Sequence, residues 1–298
     1  MHSPRFGAVI TAMVTPFSAD GSLDLDAAAS LARFLAANGS DGLVVAGSTG
    51  EGTSLTNDEK CALIAAVAEA VTIPVLAGTT SSNTADSVAL TARAHELGAS
   101  GILATTPAYV RPSQQGIAAH LGAVAEATTL PVMLYDIPVR TGRKIGAATT
   151  VAIVESHTNV VALKDASGEL VPAAGLKATL GDTFDLYSGD DGLTLPFIAL
   201  GACGVVSVAS HWIGPEMNAM VSAATSGDWA RARALNAALL PSYAFESSDM
   251  YPNPVPTKAA MRVLGHAVGQ CRLPLGPSDD TLDAQAQSLV NGVLSNRG

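Results

Sequence analysis

Short apolar runs recur along the chain at intervals of about 28 residues, and between them apolar positions return every three or four residues. The runs at 8–14, 43–46, 75–77, 101–105, 132–135, 160–164, 185–188 and 205–208 predict eight strands. Their lack of polar alternation indicates burial on both faces, as in a parallel sheet covered by helices. The helical period predicts helices over 25–38, 57–70, 84–97, 114–127 and 147–156; Thr56 followed by Glu59 opens the second of these with capping-box spacing. Eight strand-then-helix units fit a (β/α)8 TIM barrel, an α/β fold, better than a doubly wound sheet. Ser226-Gly227-Asp228 ends the alternation, and 229–296 reads as helices around Tyr251-Pro252-Asn253-Pro254-Val255-Pro256. The predicted organisation is a catalytic barrel over 1–227 and a C-terminal helical domain over 228–298.

Of 298 residues, 48% are hydrophobic and 14% charged, which permits a large core and excludes disorder as the main state. Lys and Arg number 16 against 26 Asp and Glu, giving a net charge of −10. No basic run offsets this, so neither nucleic acid nor an anionic membrane is an expected partner. Residues 193–212 approach membrane-spanning length, but Pro196, Gly201, Gly204 and Ser207 divide them into helix, turn and buried strand. The opening Met1-His2-Ser3-Pro4-Arg5-Phe6-Gly7 lacks the basic and apolar regions of a secretory leader. Cys61, Cys203 and Cys271 lie far apart without C-x-x-C spacing or nearby histidines. They indicate neither disulfides nor a zinc site, and a reducing, cytoplasmic setting fits them.

Chemistry in such a barrel gathers at the C-terminal ends of the strands. Of five lysines, Lys60 and Lys177 fall on helical stretches, Lys144 in a polar loop and Lys258 after the proline-rich turn, all settings that suit solvated cations. Lys164 instead ends the run Asn159-Val160-Val161-Ala162-Leu163, which predicts an amine at the barrel mouth. Desolvation there favours the neutral form that attacks a ketone to give a Schiff base; an ion pair with Asp165 is the competing reading. Gly47-Ser48-Thr49-Gly50-Glu51-Gly52 lacks the lysine of a phosphate loop. It reads as a glycine turn, as a cradle of N–H and hydroxyl groups for a small carboxylate, or as a nucleophile elbow around Ser48. The elbow would need a histidine base, and His2, His95, His120, His157, His211 and His266 fall mostly in helical or terminal stretches. Tyr135, at the end of the fifth run, is a candidate proton relay, and Arg140 a candidate clamp for a carboxylate. Asp190-Asp191 has no histidine or glutamate at metal-ligand spacing and reads as a turn or as support for residues around the site.

Together, Gly47-Ser48-Thr49-Gly50-Glu51, Tyr135-Asp136-Ile137-Pro138-x-Arg140-Thr141-Gly142 and Lys164-Asp165-Ala166-Ser167-Gly168 resemble the class I pyruvate-dependent aldolases of the dihydrodipicolinate synthase / N-acetylneuraminate lyase family. Thr106-Pro107-Ala108-Tyr109, Ser188-Gly189-Asp190-Asp191, Gly204-Val205-Val206-Ser207-Val208 and Asn253-Pro254-Val255-Pro256-Thr257-Lys258 extend the resemblance over nearly the whole chain. Arg140-Thr141-Gly142 and the last of these segments are similar to the synthase branch, which joins pyruvate to L-aspartate 4-semialdehyde in lysine and diaminopimelate biosynthesis. A pyruvate-forming aldolase acting on a sugar acid is the alternative, and a non-catalytic small-acid binder on the same barrel a further one.

The resemblance implies catalysis by Lys164, Tyr135, Thr49 and Tyr109, the last reaching in from a neighbouring subunit of a homotetramer. It implies substrate binding by Ser48, Thr49, Arg140, Gly189 and Val206, with neither metal nor organic cofactor. Ser48 stands where the synthases usually carry threonine. The family's lysine-feedback pocket corresponds to Gly52, Asn57, Lys60, Ser82, Asp86 and Ala108; a cation at Lys60 and no aromatic wall at Ala108 imply insensitivity to lysine.

Overall fold

A computed structural model describes residues 3–295 and Arg297, so the expectations that touch Met1, His2, Asn296 and Gly298 lie outside the described residues. Eight parallel strands close into a barrel in sequence order: β1 (Val9–Ala12), β2 (Gly42–Val45), β3 (Val75–Gly78), β4 (Gly101–Thr105), β5 (Val132–Asp136), β6 (Val160–Asp165), β7 (Asp185–Ser188) and β8 (Gly204–Ser207). They are buried along almost their whole length, which is why each appears in the sequence as an unbroken apolar run. Closure brings β8 against β1, pairing Ile10 with Val206. A Cβ at Gly204 would lie 1.9 Å from the carbonyl oxygen of Ala8, so only glycine lets the two strands approach this closely.

The helices that wrap the sheet are α1 (Leu25–Ala37), α2 (Asn57–Ala70), α3 (Thr84–Ala94), α4 (Gln114–Glu126), α5 (Pro138–Thr141), α6 (Ala147–Ser156), α7 (Leu170–Leu180), α8 (Thr194–Ala199) and α9 (Ser210–Thr225). The predicted capping box opens α2: Thr56 accepts from the Glu59 N–H and Glu59 accepts in return from the Thr56 N–H. The segment 193–212 is divided as its glycines foretell, into α8, a turn and β8, before α9 begins. Among the described residues, no helix is long and apolar enough to cross a membrane.

Three further helices follow, α10 (Trp229–Phe245), α11 (Val255–Val263) and α12 (Asp280–Ser295). They share a hydrophobic cluster with α9, in which Trp212, Met217 and Met220 meet Ala232, Leu239 and Val290. Inside the barrel a separate cluster stacks Ile10, Val44, Leu76, Leu103, Tyr187 and Val206 in layers, leaving the strand ends to carry polar groups.

Candidate active site

Lys164 sits near the end of β6 and is 4% exposed. Tyr135, Lys164 and Tyr187 share one register row across β5, β6 and β7, and both tyrosines pack in the barrel interior. The Lys164 Nζ lies 4.1 Å from the centroid of the Tyr135 ring. Among the described residues no carboxylate pairs with it. Asp165, the partner that the competing reading requires, is one position further on and so faces the other side of the sheet. There its carboxylate accepts from the Ser167 N–H at 2.8 Å. The result is a buried, unpaired amine beside a phenol.

Residues 47–52 form a tight loop after β2, in which Gly52 N–H donates to the Gly47 carbonyl and Glu51 N–H to that of Ser48. Ser48 lines a cavity of about 310 Å³ together with Thr105, Arg140 and Thr141. Thr49 is buried, and its Oγ1 accepts from Asn253 Nδ2 at 2.9 Å. The Asn253 carbonyl accepts from Arg140 Nη2 at 3.0 Å, so one asparagine ties the hydroxyl loop to the arginine. Arg140 is exposed on α5. Thr141 braces that short helix by donating to the carbonyls of Ile137 (3.1 Å) and Arg143 (2.8 Å). Lys164 and Tyr135 do not line this cavity; Ile137, which belongs both to the interior cluster and to the cavity wall, joins the two regions.

Gly189 N–H donates to the Asp165 carbonyl at 2.7 Å. A Cβ there would stand 2.7 Å from that of Ala166, so glycine lets β6 and β7 end side by side next to the amine. Val206 is buried in the interior cluster. Asp190 accepts from the Leu193 N–H, and Asp191 from the N–H groups of Val208 and Ala209, so both serve turns. Asp136 accepts from the Ile145 N–H at 3.1 Å, and burial pushes its carboxyl up to about 6.

Tyr109, by contrast, is 94% exposed in a loop where it and Arg111 both adopt left-handed backbone conformations, φ 71° and 47°. His211 lies in the first turn of α9, four residues past the end of β8, and is the histidine nearest to the C-terminal end of a strand, where a base for Ser48 would be sought. The Val14 N–H donates to its Nε2 at 3.2 Å, which leaves the proton on Nδ1, 2.7 Å from the Val208 carbonyl. Burial pushes this imidazole down to about 4, and both nitrogens are occupied.

Lys177, with its side chain 13% exposed, donates to the carbonyls of Gly181 and Phe184 at 3.0 Å each, and two further lysines depart more sharply from expectation. Lys258 is fully buried and Lys60 is 5% exposed, so neither is a solvated cation. Lys258 is drawn inside by Glu51, whose carboxylate lies 2.7 Å from its Nζ. Lys60 lies on the buried side of α2, where burial lowers its pKa and the charge of Asp86 opposes that shift. Asn253 and Glu51 stand within the quoted motifs, but their side-chain bonds leave no periodic mark in the sequence.

A buried lysine near the end of a (β/α)8 barrel strand, set against a tyrosine ring and paired with no carboxylate among the described residues, is the arrangement expected of a Schiff-base lyase. Residues 5–292 match the model of the Dihydrodipicolinate synthetase family, and the chain belongs to that family. It is 45% identical to the 4-hydroxy-tetrahydrodipicolinate synthase of Thermosynechococcus vestitus over 291 residues, 97% of each chain. With the enzyme of the same name from Moorella thermoacetica it shares 48% identity over 273 residues, 91% of this chain and 92% of that one. Among solved structures, the dihydrodipicolinate synthase of Cyanidioschyzon merolae with lysine bound superposes with a TM-score of 0.93 at 42% identity, covering 97% of this chain and 98% of that one.

Proposed function

We infer that the protein is a 4-hydroxy-tetrahydrodipicolinate synthase, which condenses pyruvate with L-aspartate 4-semialdehyde for lysine and diaminopimelate biosynthesis. The observation that carries this reading is the buried Lys164 amine, free of any carboxylate among the described residues and set against the Tyr135 ring. Condensation of the pyruvate ketone with that amine releases water and leaves a protonated imine. The imine withdraws electrons from the pyruvate methyl group, which loses a proton to give an enamine, and the enamine carbon attacks the aldehyde.

Tyr135 and Thr49 relay protons, with the partner subunit's Tyr109 completing the relay in a homotetramer. Ser48 and Thr49 hold the pyruvate carboxylate and Arg140 that of the aldehyde, while Gly189 and Val206 complete the floor of the site. In this reading residues 1–227 carry the chemistry, residues 228–298 brace it, and the enzyme works in the cytoplasm. Steady-state turnover with pyruvate and aspartate 4-semialdehyde, against none with N-acetylneuraminate or a 2-keto-3-deoxy sugar acid, is the expected result; the reverse preference contradicts it.

The reading includes freedom from lysine feedback. Of the positions that the resemblance assigns to the feedback pocket, Lys60 is buried and would set a cation where a cationic effector must bind. Ser82 and Ala108 stand open on the 310 Å³ cavity with no aromatic wall. Sub-millimolar lysine is expected to leave the rate unchanged, and inhibition in that range would refute this part.

A further inference from the structure

The loop that presents Ser48 and Thr49 is held from behind by residues far along the chain. Glu51 is 1% exposed and Lys258, on α11, is 0% exposed. Glu51 Oε1 and Lys258 Nζ are 2.7 Å apart. The other oxygen, Oε2, accepts from the Arg272 N–H at 2.8 Å. Lys258 also donates to the Gln270 carbonyl at 3.0 Å, and its Nζ lies 4.2 Å from the centroid of the Phe17 ring, against which the Arg272 guanidinium also rests. Burial pushes the Cys271 thiol up to about 12, with the charge of Lys258 opposing the rise and that of Glu51 adding to it.

Two features show that this arrangement bears on the loop. Glu51 adopts φ 53°, a left-handed conformation that a non-glycine residue keeps only when its surroundings impose it. Only Thr49 and Gly50 separate it from Ser48, to whose carbonyl its own N–H donates at 3.1 Å. The neighbouring anchor, Asn253 to Thr49, comes from the same C-terminal region.

We propose that Glu51 and Lys258 are positioning residues: their buried ion pair holds residues 47–50 in the shape that receives the pyruvate carboxylate, so the C-terminal helices complete the active site from outside the barrel. The proposal rests on the functional reading given above. Neither residue touches Lys164, so breaking the pair impairs substrate capture without removing the amine. A buried pair also behaves asymmetrically: removing one partner strands a charge, whereas removing both does not.

The test measures the pyruvate concentration that half-saturates borohydride labelling of Lys164, in the parent chain, in E51Q, in K258M and in the double variant, with circular dichroism melts to confirm folding. E51Q keeps an oxygen for the Arg272 N–H but no charge, and it decides the matter if K258M does not fold. The half-saturating concentration is expected to rise about tenfold to a hundredfold in each single variant, the range a displacement of about 1 Å produces. The double variant is expected to lie closer to the parent than K258M does. A loss of stability alone would lower the folded fraction and leave that concentration unchanged. A folded E51Q with the parent's value, or a double variant no better than K258M, overturns the proposal. A parent chain that takes up no pyruvate contradicts the function itself and the proposal with it.

Discussion

Asp136 offers a direct reading of how burial at the strand ends affects the whole molecule. Its carboxyl ends β5 at 2% exposure. Burial raises its pKa from 3.8 to about 6; the Ile145 N–H opposes the rise, and the nearby Asp165 adds to it. Below about pH 4 the group holds its proton in both the folded and the unfolded chain and contributes nothing to the difference. Between pH 4 and 6 the folded chain keeps the proton while the unfolded chain loses it, so stability falls as pH rises, and above 6 the full cost is present. At about 1.4 kcal/mol per pH unit the rise amounts to about 3 kcal/mol. Asp136→Asn removes the titration and keeps an oxygen to accept the Ile145 N–H. Urea unfolding followed by tryptophan fluorescence at one protein concentration, from pH 4 to 8, is expected to show the stability of the variant relative to the parent climbing by up to about 3 kcal/mol across that window. A difference that stays flat within about 0.5 kcal/mol, or that falls, refutes the reasoning.

Lys164→Ala is expected to lower kcat by at least about 10³-fold while leaving the circular dichroism melt intact, and Ser48→Ala to retain measurable turnover; the opposite pattern would favour a serine hydrolase. Arg140→Ala removes a charged donor, so the KM for aspartate 4-semialdehyde is expected to rise about tenfold to a hundredfold with that for pyruvate nearly constant, as initial-rate kinetics would show. Thr49→Val leaves the Asn253 amide without its buried acceptor. It is expected to cost about 1–3 kcal/mol in urea unfolding and to lower kcat, and a variant as stable and as active as the parent would contradict that role.

The barrel was legible because parallel strands buried on both faces print themselves as apolar runs, and the polar residues that end them mark the mouth. Lys164 stood out for the same reason, as the one lysine attached to such a run. Lys258 and Lys60 were misread because a charged residue in a polar or helical stretch looks solvated unless its compensating partner is known. The partner of Lys258, Glu51, lies near the other end of the chain and is brought to it only by closure of the barrel and packing of α11. Asn253 was hidden in the same way, as one more residue of a proline-rich turn. The left-handed backbone at Ala46 and Glu51 left no trace either, since glycine, the usual sign of that conformation, stands beside both residues and not at them.

The central claim is that the Lys164 amine is free to bond covalently to pyruvate. The most direct measurement is borohydride reduction of the intact protein with and without pyruvate, followed by mass mapping of its peptides. The account predicts a single pyruvate-dependent adduct on Lys164 that is absent from Lys164→Ala. An unmodified Lys164, or an adduct confined to Lys60, Lys144, Lys177 or Lys258, would contradict it.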